Sequence, residues 1–267
     1  KQLFISQSAV SQSIKVLEKK LNQPLFIRST KKVQLTPEGE ILLKHIEPAM
    51  NLIKKGENQL LEAHTLNGGQ LRIGASDTIC RYYLVPYLNR FHKEFPNIHI
   101  KVINQTSIEC ARFLENGQAD FIIANYPNSA LAGSMNTRVI NEFHDVFVAS
   151  RSAFPLKGSK LALEELLRYP IMMLDRKSTT SEFLHQVFQK SQLDLVPEIE
   201  LSSNDLLIDL ARIGLGIAFV PDFCIPKNDE DLFILDLKEQ LPSRQMMVAY
   251  NESLPVSQAA RQFMDML

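Results

Sequence analysis

The stretch from Ser6 to Glu40 constrains this 267-residue chain more than any other part of it. It reads S-Q-S-A-V-S-Q-S-I-K-V-L-E-K-K-L, then Asn22-Gln23, then P-L-F-I-R-S-T-K-K-V-Q-L-T-P-E-G-E. At 100° per residue, Val10, Ile14, Leu17 and Leu21 fall in one stripe, while Ser8, Ser11, Gln12, Lys15 and Lys19 gather opposite. Hydroxyls and Gln can bond base edges or phosphates, and Lys neutralises phosphate, so the polar face suits the DNA major groove. Polarity alone also allows an ordinary amphipathic surface helix. Asn22-Gln23-Pro24 stops the helix. The alternation around Arg28, Lys31, Lys32, Val33 and Leu35 predicts a small hairpin wing with its cations outward. Thr36-Pro37 then opens another helix, with Thr as N-cap and Pro in the first turn.

Charge separates this head from the rest. Residues 1–36 hold seven Lys/Arg against one acid, residues 37–69 three against five, and residues 70–267 nineteen against twenty-four. A whole-chain charge of −1 therefore conceals a basic head on an acidic body, the pattern of a nucleic-acid-binding module joined to something else.

The two motifs, S-Q-S-A-V-S-Q-S-I-K-V-L-E-K-K-L and P-L-F-I-R followed by L-T-P-E-G, resemble those of the LysR-type transcriptional regulators. The resemblance extends over essentially the whole chain and implies an α/β protein: a winged helix-turn-helix head, a long linker helix and a two-subdomain body like a periplasmic binding protein. It implies DNA contacts from Gln7, Ser8, Ser11, Gln12 and Lys15 on the recognition helix and from Arg28, Lys31 and Lys32 on the wing. Gln12 stands where the family often has Arg. The chain opens at Lys1-Gln2-Leu3, so the head is expected to lack roughly 20 residues of the full motif. The expected domains are 1–36 for the head, 37–69 for the linker and dimerisation helix, and 70–267 for the body. Within the body, one subdomain takes about 70–143 plus 246–267 and the other about 144–245.

Several classes are disfavoured by composition. No run of 18 apolar residues marks a membrane span, and no signal peptide is evident. Cys80, Cys110 and Cys224 form no C-x-x-C pair, which fits a reducing, cytoplasmic setting. The six histidines show no metal-ligand spacing, His92 and His99 included, and no metal or cofactor is expected. G-x-S-x-G, the P-loop and a G-x-G-x-x-G after a strand are all missing, so an enzyme is not expected.

From Pro37 to about His64 the chain is helix-forming, and Leu42, Ile46, Ala49, Ile53, Gly56 and Leu60 follow heptad-like spacing. That seam suits pairing with another helix, although packing within its own domain would produce it too. A kink or break is expected at Pro48, which cannot bond back to Lys44. Asn67-Gly68-Gly69 marks the boundary.

The body alternates strand and helix: Leu71–Ala75, helix Arg81–Phe95, Ile98–Ile103, helix Ile108–Asn116 and the buried run Ala119–Ala124. A second set follows with Val146–Ala149, helix Ser181–Ser191, Pro197–Leu201, helix Asp205–Ile213 and Gly216–Val220. Such alternation implies α/β layers with mostly parallel sheets. G-A-S-D-T at Gly74–Thr78 and G-L-G-I-A-F-V-P at Gly214–Pro221 resemble the same family's body.

Open α/β sheets bind ligands beyond the carboxyl ends of their strands, where helix N-termini face the crevice. Those ends supply Ser76, Asp77, Thr78, Thr106, Ser107 and Asn125 from one subdomain. The other supplies Arg176, Ser178, Thr179, Ser202, Ser203 and Asn204, with Phe219 nearby. These residue types also cap helices for purely structural reasons. Convergence of four caps is what favours an effector pocket. Asp77 would repel an anion unless Arg81 or Arg176 compensates, so the effector is an organic anion or an amino-acid-like molecule.

The expected function is a transcriptional regulator binding a partly palindromic duplex as homodimer or homotetramer, its DNA geometry set by the effector. The alternatives are a solute-binding protein of periplasmic type and a redox sensor using Cys80 and Cys110, which fall near helix N-termini where a thiolate is favoured.

Overall fold

The computed structural model describes residues 6–28, 32–62, 69–131, 135–226 and 229–267. Two compact units form, one ending at Lys55 and the other starting at Gly56.

In the first unit, helix α1 (Gln7–Leu21) begins where the Ser6 hydroxyl accepts from the Ala9 amide and ends at Asn22, which takes a left-handed φ of 52°. Asn tolerates this conformation, so the chain turns before Pro24 is reached. Strands β1 (Phe26–Arg28) and β2 (Val33–Leu35) pair antiparallel with Phe26 opposite Leu35, which makes the expected wing. The Glu18 carboxylate receives the Leu25 and Phe26 amides at 2.8 and 3.2 Å, so the single acid of the head fixes the wing to α1. Thr36 caps α2 (Pro37–Glu62) by accepting from the Gly39 amide, and its hydroxyl donates to the Pro24 carbonyl at 2.7 Å. Helix α2 runs through Pro48 without the expected break. A proline there forfeits one intrahelical bond, and the other residues keep the helix going.

The second unit holds two five-stranded sheets. The first has the order β4-β3-β5-β14-β6, built from β3 (Gly69–Ala75), β4 (Ile98–Asn104), β5 (Phe121–Tyr126), β6 (Met135–Phe143) and β14 (Arg244–Asn251). The second has the order β10-β9-β11-β7-β12, from β7 (Asp145–Ser150), β9 (Ile171–Leu174), β10 (Ile199–Leu201), β11 (Ile217–Pro221) and β12 (Leu232–Ile234). A small parallel pair, β8 (Lys160–Leu161) with β13 (Asp236–Leu237), flanks it.

The expectation of mostly parallel sheets needs correction. In each sheet four strands share one sense and one strand opposes them, β14 in the first and β7 in the second, so two of the four pairings are parallel and two antiparallel. The cause is the connection between subdomains. The chain leaves the first sheet through β6 into β7 and returns through β14, and the strand that enters each sheet from the other subdomain, β7 or β14, runs against its neighbours on both sides.

Helices cover both faces of both sheets. On the first lie α3 (Asp77–Ile79), a π turn at Cys80–Leu84, α4 (Val85–Glu94), α5 (Ser107–Glu115) and α9 (Gln258–Met266). On the second lie α6 (Leu163–Leu166), α7 (Thr179–Lys190) and α8 (Asn204–Arg212). Strand β5 shows why both faces must be covered. Phe121 and Ile123 join a core with Phe91 and Phe263, while Ile122 and Ala124 join another with Cys110 and Leu114. In the second sheet, Phe147, Ile217 and Phe219 face Leu184 and Phe188 of α7, and Val148, Ala218 and Val220 face Leu207 and Ala211 of α8. Apolar runs buried on both faces mark strands of this kind.

Candidate functional site

The strand ends of the second unit converge on one cavity of about 220 Å³. Ser76 follows β3, Asn104 and Gln105 end and follow β4, Asn125 lies near the end of β5, Leu174 and Asp175 end and follow β9, and Ser202 follows β10. In the first sheet β3 sits between β4 and β5, and in the second β9 sits between β10 and β11. Connections leave these central strands in opposite directions, which opens a crevice at their carboxyl ends.

Four helices begin at this cavity, each with a hydroxyl cap. Ser76, Thr106, Ser178 and Ser203 accept from the Ile79, Glu109, Ser181 and Leu206 amides at 3.3, 3.2, 3.1 and 3.3 Å. Each cap satisfies one donor of its first turn. The amides before it keep the partial positive charge of the helix end. Ser107 also supports the wall, since its hydroxyl accepts from the Asn125 amide and its carbonyl from the Asn128 side chain.

The two subdomains meet across the cavity mouth. Asn204 donates through Nδ2 to the Thr78 hydroxyl at 2.9 Å, and the Tyr82 hydroxyl donates to Asp205 at 2.6 Å. Arg81 approaches the same carboxylate at 3.5 Å. Burial, then the bond to Asp205, holds the Tyr82 phenol above its ordinary range.

Of the residues expected at this site, Ser76, Asp77, Thr78, Thr106, Ser107, Asn125, Ser178, Thr179, Ser202 and Asn204 wall the cavity. Phe219 does not. It is fully buried in mid-strand among Phe147 and Phe183, and a side chain on the α7 face of β11 cannot reach a crevice beyond the strand end. Arg176 is exposed on the turn that Asp175 makes by accepting the Lys177 amide, and it lies outside the lining. Ser203 is occupied as a cap and lies outside the lining. Asn104, Gln105, Leu174, Asp175 and Thr180 join the wall. The run Ile171–Met172–Met173–Leu174 before Asp175 was the available signal for strand β9 and its end.

The cysteines contradict the redox expectation. Burial, reinforced by Asp77, pushes the Cys80 thiol up to about 11, and burial pushes Cys110 up to about 12. All three cysteines are free, and Cys110 and Cys224 are buried.

In the head, Gln7, Ser8, Gln12 and Lys15 are exposed on α1 and Ser11 is half-buried, which places all five on one accessible side of the helix. Lys32 is exposed before β2; Arg28 lies on β1, and Lys31 lies outside the described residues. Among the described residues no helix is long and apolar enough to cross a membrane.

A basic helix-and-wing head together with a two-subdomain α/β body closing on a ligand-sized crevice defines a ligand-responsive DNA-binding regulator. The family comparisons agree. The description "LysR substrate binding domain" matches residues 64–267, and "Bacterial regulatory helix-turn-helix protein, lysR family" matches residues 1–40. The chain belongs to the LysR family of transcriptional regulators. It is 29% identical over 267 residues to a probable RuBisCO transcriptional regulator of Cyanidioschyzon merolae, covering 98% of this chain and 88% of that one. Among solved structures, the Synechocystis CcmR regulatory domain in complex with 2-PG matches with a TM-score of 0.67 at 22% identity, over 74% of this chain and 94% of that one. The LysR family regulator HinK of Pseudomonas aeruginosa matches with a TM-score of 0.63 at 19% identity, over 99% of this chain and 88% of that one. The head finds no place in the solute-binding alternative.

Proposed function

We propose that the cavity between the two sheets is the effector site of this regulator. The convergence of five strand ends and four capped helix N-termini on one small polar cavity carries this reading. A ligand there contacts both subdomains, so its binding energy depends on how far they close. That dependence couples occupancy to the body's shape. Gln7, Ser8, Ser11, Gln12 and Lys15 of α1 address the major groove, while Arg28, Lys31 and Lys32 meet phosphates. Helix α2 pairs with that of a second copy, giving a homodimer that can pair again. Two heads then address half-sites roughly 34 Å, or a multiple, apart in a partly palindromic duplex. The protein acts in the cytoplasm, as a binding regulator rather than an enzyme.

The test is a thermal-shift screen of metabolites followed by titration of the first hit against Thr106→Val with Thr179→Val. Both side chains keep their shape and lose a hydroxyl. Loss of the Thr106 cap costs about 1 kcal/mol, which leaves the fold intact. Affinity should fall about tenfold or more, and unchanged affinity in the double variant would remove the cavity from consideration.

A further inference from the structure

The chemistry of the cavity wall narrows the class of ligand it can hold, provided that the cavity is the effector site. Of the lining residues, Leu174 alone is apolar, so there is no aromatic face or apolar wall for an extended ligand. No Lys, Arg or His lines the cavity among the described residues, and both acids that do, Asp77 and Asp175, carry negative charge into it. Arg81 lies 3.5 Å from Asp205, and Arg81 and the exposed Arg176 both stand outside the lining. Two buried amides of the wall hold acceptors short of a donor. Asn125 and Asn204 are 6% and 4% exposed, and the Oδ1 of each is shielded from water without a donor. Asn204 donates through Nδ2 to the Thr78 hydroxyl, and its Oδ1 is left without a donor. Asp77 takes the Asn104 amide on one oxygen, and Asp175 takes the Lys177 amide on one.

Donors come from elsewhere. The first-turn amides at Ser107 and Thr179 open helices of nine and twelve residues, with Thr106 and Ser178 as caps. Their partial charge suits one carboxylate. It does not suit a dianion, which two nearby carboxylates would repel with no side-chain cation to offset them.

We propose that the effector is a small zwitterion of the α-amino-acid class with a short polar side chain. Its carboxylate meets the amides opening α5 and α7. Its ammonium donates toward the carboxylates of Asp77 and Asp175. Three N–H donors on one nitrogen match a wall made of acceptors.

The experiment is calorimetric titration of the full chain with L-serine and L-asparagine, with L-glycerate (L-serine with hydroxyl in place of ammonium), and with glycerol 2-phosphate as the dianionic probe. Saturable binding of at least one amino acid is expected, with L-glycerate at least tenfold weaker and glycerol 2-phosphate weaker still. Asp77→Asn together with Asp175→Asn should weaken the amino acid at least tenfold and strengthen glycerol 2-phosphate. Circular dichroism checks that this variant is folded. If glycerol 2-phosphate binds best and Thr106→Val with Thr179→Val weakens it, the cavity is the effector site but the ligand class is wrong. If an amino acid binds but is indifferent to all four substitutions, the ligand sits elsewhere and the cavity reading falls with the proposal. Absence of saturable binding by both amino acids also overturns it.

Discussion

Arg244 and Asp145 form an ion pair at 2.7 Å with both side chains fully buried. They are the first residues of β14 and β7, the strands that enter one sheet from the other subdomain. The same Nη1 donates to the Thr180 hydroxyl on the cavity wall at 3.0 Å, and the guanidinium lies 5.4 Å from the Phe143 ring centre and 5.1 Å from that of Phe183. Satisfaction is incomplete: Asp145 Oδ1 and Arg244 Nε and Nη2 have no partner. A pair of this kind contributes little net stability, but losing one member is costly because the other is left charged and buried.

Arg244→Leu should therefore cost about 3–5 kcal/mol in urea unfolding, and Arg244→Leu with Asp145→Leu distinctly less. Burial already raises the Asp145 carboxyl above its ordinary range, opposed by Arg244. A raised folded value means a stability contribution that is present at acid pH and lost as pH rises through that value. Removing Arg244 pushes the value further up, so the single variant should be hurt less at pH 5 than at pH 8. Equal losses in single and double variants would show that the pair is not acting as a charge pair.

Gly39→Ala and Gly56→Ala should move stability in opposite directions, although both glycines lie in α2. A Cβ at Gly39 would stand 2.2 Å from the Leu25 carbonyl oxygen, whereas one at Gly56 would meet nothing within 4 Å. Alanine gains about 1 kcal/mol of helix propensity over glycine. At Gly39 a backbone clash outweighs that gain, with a net loss of about 1–3 kcal/mol. Thermal melts of the two variants give the sign directly.

Lys15→Ala, Arg28→Ala and Lys31→Ala should each weaken binding to all duplexes and lower the salt slope by about one. Changes at Gln7, Ser11 or Gln12 should instead alter sequence preference. Fluorescence anisotropy across a salt series separates the two, and an unaltered slope in the Arg28 and Lys31 variants would refute the wing contacts.

Ile46 and Ile53 are 42% and 56% exposed on α2. If this seam meets a second copy, Ile46→Asp or Ile53→Asp places a charge in an apolar contact and should shift the protein toward monomer in light scattering. An unchanged mass for both would exclude the seam.

With its thiol at about 11, Cys80 is roughly one-thousandth ionised at pH 8. Iodoacetamide should label it about a hundredfold more slowly than an exposed thiol, and Cys110 and Cys224 only on unfolding. Fast labelling of Cys80 at neutral pH would restore a redox role.

The local grammar of this chain is readable without coordinates because it depends on near neighbours. The stripe of α1, the Asn22 stop, the Thr36-Pro37 start and the polar residues after each apolar strand follow from periodicity and capping. They place ten of the thirteen residues named from the sequence on the wall of the cavity. Tertiary structure decided what depends on partners distant in sequence. Phe219 belongs to a core because strand parity turns it toward α7, and Asp175 reaches the cavity because strand β9, marked in the sequence only by its short apolar run, ends there. The mixed sense of the sheets follows from two strand passages between subdomains. The Arg244–Asp145 pair joins residues 99 positions apart, and no window along the chain contains both. The charge character of the cavity was likewise undecidable from the sequence. Arg81 and Arg176 stood as possible counter-charges, and only the fold left both outside the lining.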